Sequence, residues 1–236
     1  MEALSNAPHT IKKAFLAADI KDGALLRELL AKNKIPVAEL ARGKGKELFG
    51  SDATHQGVIA TLDTAALLQD FDSFIEKLDR KKNPAVVVLG EVQDPHNVGA
   101  IIRSAAAFGL AGVLIPEHNQ AGITGTVVKT SAGMAFRIPL VAIGNVNNTL
   151  RVLKDHGFWT YALATEGASN LAAEKFDTPT AFILGNEATG VREKTLEAAD
   201  VMLRVPMHPR TESLNVAATA AIVFYEWSGK HPEALS

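Results

Sequence analysis

Cysteine is missing from this 236-residue chain. Its absence excludes disulfides, thiolate metal ligands and a thiol nucleophile, and it favours a cytoplasmic protein. Aromatic residues are sparse at 6%. No apolar run is long enough to span a bilayer. The N-terminus has no basic flank followed by an apolar core, so no secretory signal is read there. Net charge is scarce too: the formal value is −2 and the pI is near 6.4. A basic stripe is the usual footprint of nucleic-acid binding, so the overall balance argues mildly against that partner. Local clusters escape the average, namely Lys32, Lys34, Arg42, Lys44 and Lys46, and the run Arg80-Lys81-Lys82. Basic runs read first as solvated surface. The fingerprints GxGxxG, GxxxxGK[ST] and GxSxG are all absent. The seven histidines are scattered with no HExxH-like pair, so no metal site is expected.

What is present is ample apolar material and regular alternation. Hydrophobic residues make up 47% of the chain, enough for one large domain or two smaller ones. Leucines 25, 26, 29 and 30 mark one helical face, with Asp22 as its expected N-cap. Arg42–Lys46 reads as a basic loop, and Val58–Leu62 as a strand after Gly57. Phe71, Phe74, Ile75 and Leu78 form a second amphipathic helix. It runs into the charged, Pro-terminated stretch Asp79–Pro84, which marks the domain boundary. The division is therefore 1–66 as a small α/β unit, 67–83 as a linker carrying a helix, and 84–236 as the larger domain. In the larger domain, strands are expected at 86–89, 113–115, 140–143, 159–163, 181–184 and 202–205. Helices are expected at 99–108, 124–130, 146–156, 192–199 and 214–227. Gly109 and Gly157 sit where helices should end. This alternation implies an α/β fold with a mainly parallel sheet and helices on both faces.

Three polar clusters fall just after strands, where ligands gather in open α/β sheets. The first runs from Asn97 through Gly99 to Arg103. Asn97 reads as an N-cap for helix 99–108, but Arg103 interrupts a small, apolar run. An arginine there must snorkel, pair with an acid or contact an anion. The second is Gly185-Asn186-Glu187-Ala188-Thr189-Gly190. Its glycines permit close backbone approach and positive φ, and Glu187 can accept from a sugar or pair with an arginine. A tight turn capped by Thr189 explains it equally well. The third lies in the loop from Val205 to Asn215. Ser213 is a plausible cap for the following helix, which leaves Asn215 on the same turn unexplained.

In order and spacing, these clusters resemble the motifs of the SpoU-type (TrmH-like) RNA 2′-O-methyltransferases of the SPOUT superfamily. Asn97, Gly99 and Arg103 match the first motif. Gly185, Glu187 and Gly190 match the second, and Ser213-Leu214-Asn215-Val216 the third. The resemblance runs from Pro84 to the C-terminus. A weaker one joins the N-terminal part, through His55-Gln56-Gly57-Val58, to the family's RNA substrate-binding domain. That domain usually begins with a further strand and helix, so here it is expected to be incomplete at its N-terminus.

The resemblance implies a C-terminal trefoil knot, which periodicity cannot reveal, and a homodimer whose interface completes each active site. It implies S-adenosylmethionine as cofactor, held by Thr165, Gly185, Gly190, Val205, Met207 and Leu214, with no metal. The substrate would be structured RNA, with ribosomal RNA the first reading and transfer RNA the alternative. Arg103 would grip a phosphate and stabilise the developing alkoxide, since an arginine stays protonated at pH 7. Asn97 would orient the ribose or Arg103, Glu187 would anchor Arg103 or Asn97, and Ser213 and Asn215 would shape the hydroxyl's pocket. The competing readings are a catalytically silent RNA-binding factor with the same fold, and a generic nucleotide-binding enzyme, which the missing fingerprints disfavour.

Overall fold

Ile11–Leu16 forms strand β1, whose buried positions include Ile11, Ala14 and Leu16 while Lys12 and Lys13 face solvent. This is the half-buried pattern of a sheet with one face packed. The computed structural model describes residues 1–18, 20, 23–41, 56–165 and 169–236. The chain divides into two compact units, Met1–Leu67 and Leu68–Ser236. In the first, β1 lies between β2 (Val37–Glu39), which is parallel to it, and β3 (Val58–Leu62), which is antiparallel. Helices α1 (Glu2–Asn6) and α2 (Gly23–Lys32) accompany them. The core gathers Ile11, Ala14, Leu16, Leu30 and Ile35, with Leu26 and Val58 against it. The leucine face of α2 is narrower than expected. Leu26 and Leu30, one turn apart, point inward, whereas Leu25 lies about 100° around the helix and is 55% exposed. Asp22, the Arg42–Lys46 loop and His55 lie outside the described residues.

The second unit is built on eight strands: β4 (Leu68–Asp70), β5 (Ala85–Leu89), β6 (Gly112–Pro116), β7 (Leu140–Ile143), β8 (Trp159–Leu163), β9 (Ser169–Asn170), β10 (Thr180–Leu184) and β11 (Val201–Arg204). Their order in the sheet is β4-β7-β6-β5-β10-β8-β11-β9, and every pairing is parallel. Among the described residues six α-helices follow in sequence: α3 (Phe71–Lys77), α4 (Pro95–Ala107), α5 (Gly125–Thr130), α6 (Val146–Asp155), α7 (Glu193–Ala198) and α8 (Val216–Lys230).

β5 is buried at all five positions, as a central parallel strand covered on both faces must be. Val86 and Val88 point to one face, where they join Ala181 and Ile183 of β10. Phe74 and Ile75 of α3 and Leu150 and Leu153 of α6 cover that face. Of residues 67–83, expected to link the two units, all but Leu67 are thus built into the second. β4 pairs with β7, and the apolar face of α3 is sheet-covering core. Phe182 points to the opposite face. There its ring meets Tyr161, Phe176 and Phe224, the last from α8.

Helix starts depart from expectation for local reasons. α4 begins at Pro95 rather than 99, because Asp94 accepts the His96 N–H at 2.8 Å and Pro95 suits the first helical position. Asn97 is therefore inside the helix and not its cap. α8 begins at Val216, and its cap is Asn215, which accepts from the Ala217 and Ala218 N–H groups. Ser213 caps nothing. Gly109 and Gly157 follow the ends of α4 and α6 with φ of +73° and +84°, as helix-terminating glycines do.

Phe182 has no exposed surface and three aromatic neighbours. Phe182→Ala should therefore cost about 3–5 kcal/mol, read as a lower urea midpoint with an unchanged slope. A loss below about 1 kcal/mol would mean that the aromatic layer does not hold α8 to the sheet.

Candidate active site at the topological switch

From β5 the chain runs through α4 to β6 on one side, and from β10 through α7 to β11 on the other. The two strands are neighbours, so their C-terminal loops diverge and open a crevice, the usual ligand site of such sheets. Both loops are tightly packed at their origin. The Gly90 N–H donates to the Leu184 carbonyl at 2.6 Å. A Cβ on Gly185 would lie 2.1 Å from backbone atoms of Gly190 and Val191, so only glycine fits. Asn186 and Gly190 close the loop with two backbone hydrogen bonds of 2.9 Å. The Asn186 side chain also accepts from the Ala188 and Thr189 N–H groups. The expected capping by Thr189 is thus done by Asn186, and α7 starts only at Glu193.

A directional chain of hydrogen bonds crosses the crevice. Asn215 Oδ1 is committed to capping α8, so its Nδ2 donates onward to Asn97 Oδ1 at 2.9 Å. Asn97 Nδ2 donates to Glu187 at 3.0 Å. Glu187 also accepts the Asp94 N–H at 3.1 Å and the Gln93 N–H at 3.2 Å. One residue from each of the three clusters is thereby joined. Asn97 is 9% exposed, and both ends of its amide are satisfied, as a buried amide requires. Partial burial alone would raise the Glu187 pKa. The hydrogen bonds from Asn97, Asp94 and Gln93 outweigh it and hold the carboxyl below its ordinary value of 4.5. Glu187 is an anion at neutral pH, fixed as an acceptor and poorly suited to taking a proton.

Two cavities flank this chain. The first, of about 450 Å³, is lined by Leu163, Thr165, Leu184, Gly185, Gly190, Val205, Met207 and Leu214, together with the polar residues Glu187 and Ser213. The second, of about 580 Å³, is lined by Gln93, Asp94, Asn97, Glu187, Ser213 to Asn215 and Val216. Ser213, Leu214 and Glu187 belong to both. Arg103 lies elsewhere. It sits two turns along α4 on an exposed face, lines neither cavity, and has no hydrogen bond or ion pair among the described residues. Of its two anticipated partners, Glu187 holds Asn97 and not Arg103. Among the described residues no His, Asp or Glu cluster could hold a metal ion. No described helix is long and apolar enough to cross a membrane.

Residues 84–225 match the SpoU rRNA methylase family, and residues 1–67 match the RNA 2′-O ribose methyltransferase substrate-binding family. The chain belongs to the SpoU methylase family. It is 39% identical over 215 residues to the 23S rRNA (guanosine-2′-O-)-methyltransferase RlmB of Xylella fastidiosa, covering 86% of each chain. It is 32% identical to RlmB of Photobacterium profundum, covering 94% of this chain and 91% of that one. The fold is that of the SpoU methyltransferase AviRb from Streptomyces viridochromogenes, solved with AdoMet. The TM-score is 0.79 and the identity 20%, over 98% of this chain and 87% of that one.

Sequence reasoning missed Asn186, Gln93 and Asp94 as parts of the site. The Asp94-Pro95 pair carried a legible helix-start signal. Asn186, next to a glycine, carried only a turn signal.

Glu187→Gln replaces one of the accepting oxygens with a donor and must break at least one of the bonds to Gln93, Asp94 or Asn97. The parent carboxyl has a lowered folded pKa, so its contribution to stability is present above pH 4.5 and lost as pH falls through the folded value. The variant should be less stable at pH 7, and its stability should fall less between pH 5 and pH 3. Parallel urea midpoints across that range for both proteins would show that Glu187 carries none of the acid sensitivity.

Proposed function

We propose that this protein transfers a methyl group from S-adenosylmethionine to a ribose 2′-oxygen of structured RNA, with ribosomal RNA as the substrate. The observation that carries the reading is the Asn215–Asn97–Glu187 chain, which joins the three family motifs between two adjacent cavities. The first cavity fits the cofactor. Its volume is in the range of small-molecule sites, and its lining mixes apolar side chains such as Leu163, Val205 and Met207 with polar ones such as Thr165, Glu187 and Ser213. No atom within 4 Å would meet a Cβ on Gly190, so there is room for a ligand beside that backbone. Leu163, Val205, Met207 and Leu214 would enclose the adenine, while Thr165, Gly185 and Gly190 would offer backbone and hydroxyl partners. Bound there, the cofactor supplies an electrophilic methyl on a sulfonium centre. The second cavity would take the target nucleotide, with Asn97, Ser213 and Asn215 about its ribose. Holding the 2′-oxygen in line with the methyl supplies much of the rate enhancement. Glu187 serves by keeping Asn97 oriented. The relatives named as guanosine 2′-O-methyltransferases of 23S rRNA support guanosine as the modified nucleotide.

Arg103 belongs to this proposal through a second copy of the chain. Lining neither of the two cavities of its own chain, Arg103 would reach a reacting ribose from across an interface. An interface on this side is supported by α8, which leaves Ile222 40% and Tyr225 65% exposed. Tyr225 stacks edge-on against Phe108 at the end of α4, the helix that carries Arg103. In the homodimer, Arg103 of one copy would grip the RNA phosphate at the other copy's site and stabilise the developing alkoxide. The proton leaves to water or a phosphate oxygen. The same proposal includes the C-terminal trefoil knot, the RNA-binding role of residues 1–66, catalysis by residues 84–236, and a cytoplasmic location.

Arg103→Ala should lower methyl transfer to total RNA by about 100-fold or more, with cofactor affinity within about twofold. Parent protein that methylates no RNA ribose, mapped nucleotide by nucleotide, would end the reading. The shared site has its own test in mixing Arg103→Ala with Asn215→Ala, each inactive alone. Random pairing makes half of the dimers mixed, each with one intact site of two. Activity should therefore return to roughly a quarter of the parent value. A site built within one chain would give no recovery.

A further inference from the structure

Glu91 stands out among the residues that line neither cavity. Its φ is +70°, a left-handed conformation that side chains other than glycine, asparagine and aspartate adopt reluctantly. Two sets of contacts hold it there. Its carboxylate grips the Arg192 guanidinium with both oxygens, at 2.6 Å from Nη2 and 3.0 Å from Nε. Its carbonyl accepts the Asn186 Nδ2 at 3.0 Å. Asn186 opens the Gly185–Gly190 loop, and Arg192 is the residue from which α7 departs just beyond it. Glu91 therefore holds both ends of the loop that forms one wall of the first cavity.

The two acids of this region divide the work by side. Glu187 ties the loop to Gln93, Asp94 and Asn97 on the side facing the second cavity. Glu91 ties it to Arg192 and Asn186 and lines neither cavity. Asn186 mediates, since its Oδ1 orders the amides of Ala188 and Thr189 while its Nδ2 is spent on Glu91. The Arg192 side chain is 67% exposed, so the pair adds little to global stability. Its two-pronged geometry does fix direction, and its effect falls on where the loop sits.

We propose that the Glu91–Arg192 ion pair is a positioning device for the cofactor cavity, setting the Gly185–Gly190 loop for binding without touching cofactor or RNA. This rests on the first cavity, that of the Gly185–Gly190 loop, being the S-adenosylmethionine site. Arg192→Ala removes the clamp and leaves Glu91 in place. Glu91→Gly removes it while relieving the left-handed backbone, which separates lost clamping from lost strain. Each should weaken S-adenosylmethionine binding about fivefold by calorimetry, roughly the effect of one partly exposed charge-assisted contact. The KM for cofactor should rise alike, kcat at saturating cofactor should stay within about twofold, and the melting temperature should barely move. The exchanged pair Glu91→Arg with Arg192→Glu should recover most of the affinity. Single variants that bind cofactor as the parent does would overturn the proposal. So would a fall in affinity that merely follows a large fall in melting temperature, or an exchanged pair no better than either single change. A parent protein without cofactor affinity would overturn the reading of the cavity and this inference with it. A parent that binds, with variants that bind equally well, overturns this inference alone.

Discussion

The hydrogen-bond chain from Asn215 through Asn97 to Glu187 is the constraint on which the site depends. Its direction is set at both ends by backbone. At one end the N–H groups of Ala217 and Ala218 claim the Asn215 oxygen, so Asn215 can only donate onward. At the other the Gln93 and Asp94 N–H groups point at Glu187, so only an acceptor is stable there. Asn97 between them has no freedom to turn its amide. Each net bond contributes only about 1 kcal/mol, but leaving any buried member unpaired costs more. The chain thus acts as a unit and registers three loops that share no sequence neighbourhood.

The sheet makes that registration possible. β5 and β10 are paired along their full length, from Ala85 with Thr180 to Leu89 with Leu184, and both are buried throughout. Their loops leave from adjacent, rigid points, and the contact of Gly90 with Leu184 allows no side chain between them. Loop 185–190 then closes on itself through Asn186 and Gly190. A polar apparatus built of short loops is rigid because its supports are the most deeply buried strands in the molecule. Glu91 and Glu187 extend that rigidity outward by binding the two loops on opposite sides.

Much of this was legible in residue order. The six strands expected in the larger domain fall within one residue of expectation, because runs such as Val86–Leu89 and Phe182–Leu184 have no other stable place than a covered sheet; the short edge strands β4 and β9 were not anticipated. The residues expected to bind cofactor line a single cavity, since strand ends in a parallel sheet all open to the same side. Misreadings arose where two local signals competed. Ser213 and Asn215 both suit a helix cap, and only the path of the loop selects Asn215. Asn97 had the look of a cap, but the Asp94-Pro95 pair starts the helix earlier. Residues 67–83 ended in charge and proline like a linker, yet Phe74 and Ile75 found a sheet face to cover.

By itself the sequence determined the alternation of strands and helices, the three polar clusters at strand ends and the family to which they belong, because these follow from local periodicity and from motif identity. Only the tertiary structure decided which polar groups meet. It placed Glu187 with Asn97, separated Arg103 from both cavities and brought Glu91 to Arg192, 101 residues away. Local propensity carries no information about partners so distant in the chain. Their pairing is set by strand order, which puts β5 beside β10, and by the requirement that each buried donor and acceptor be satisfied.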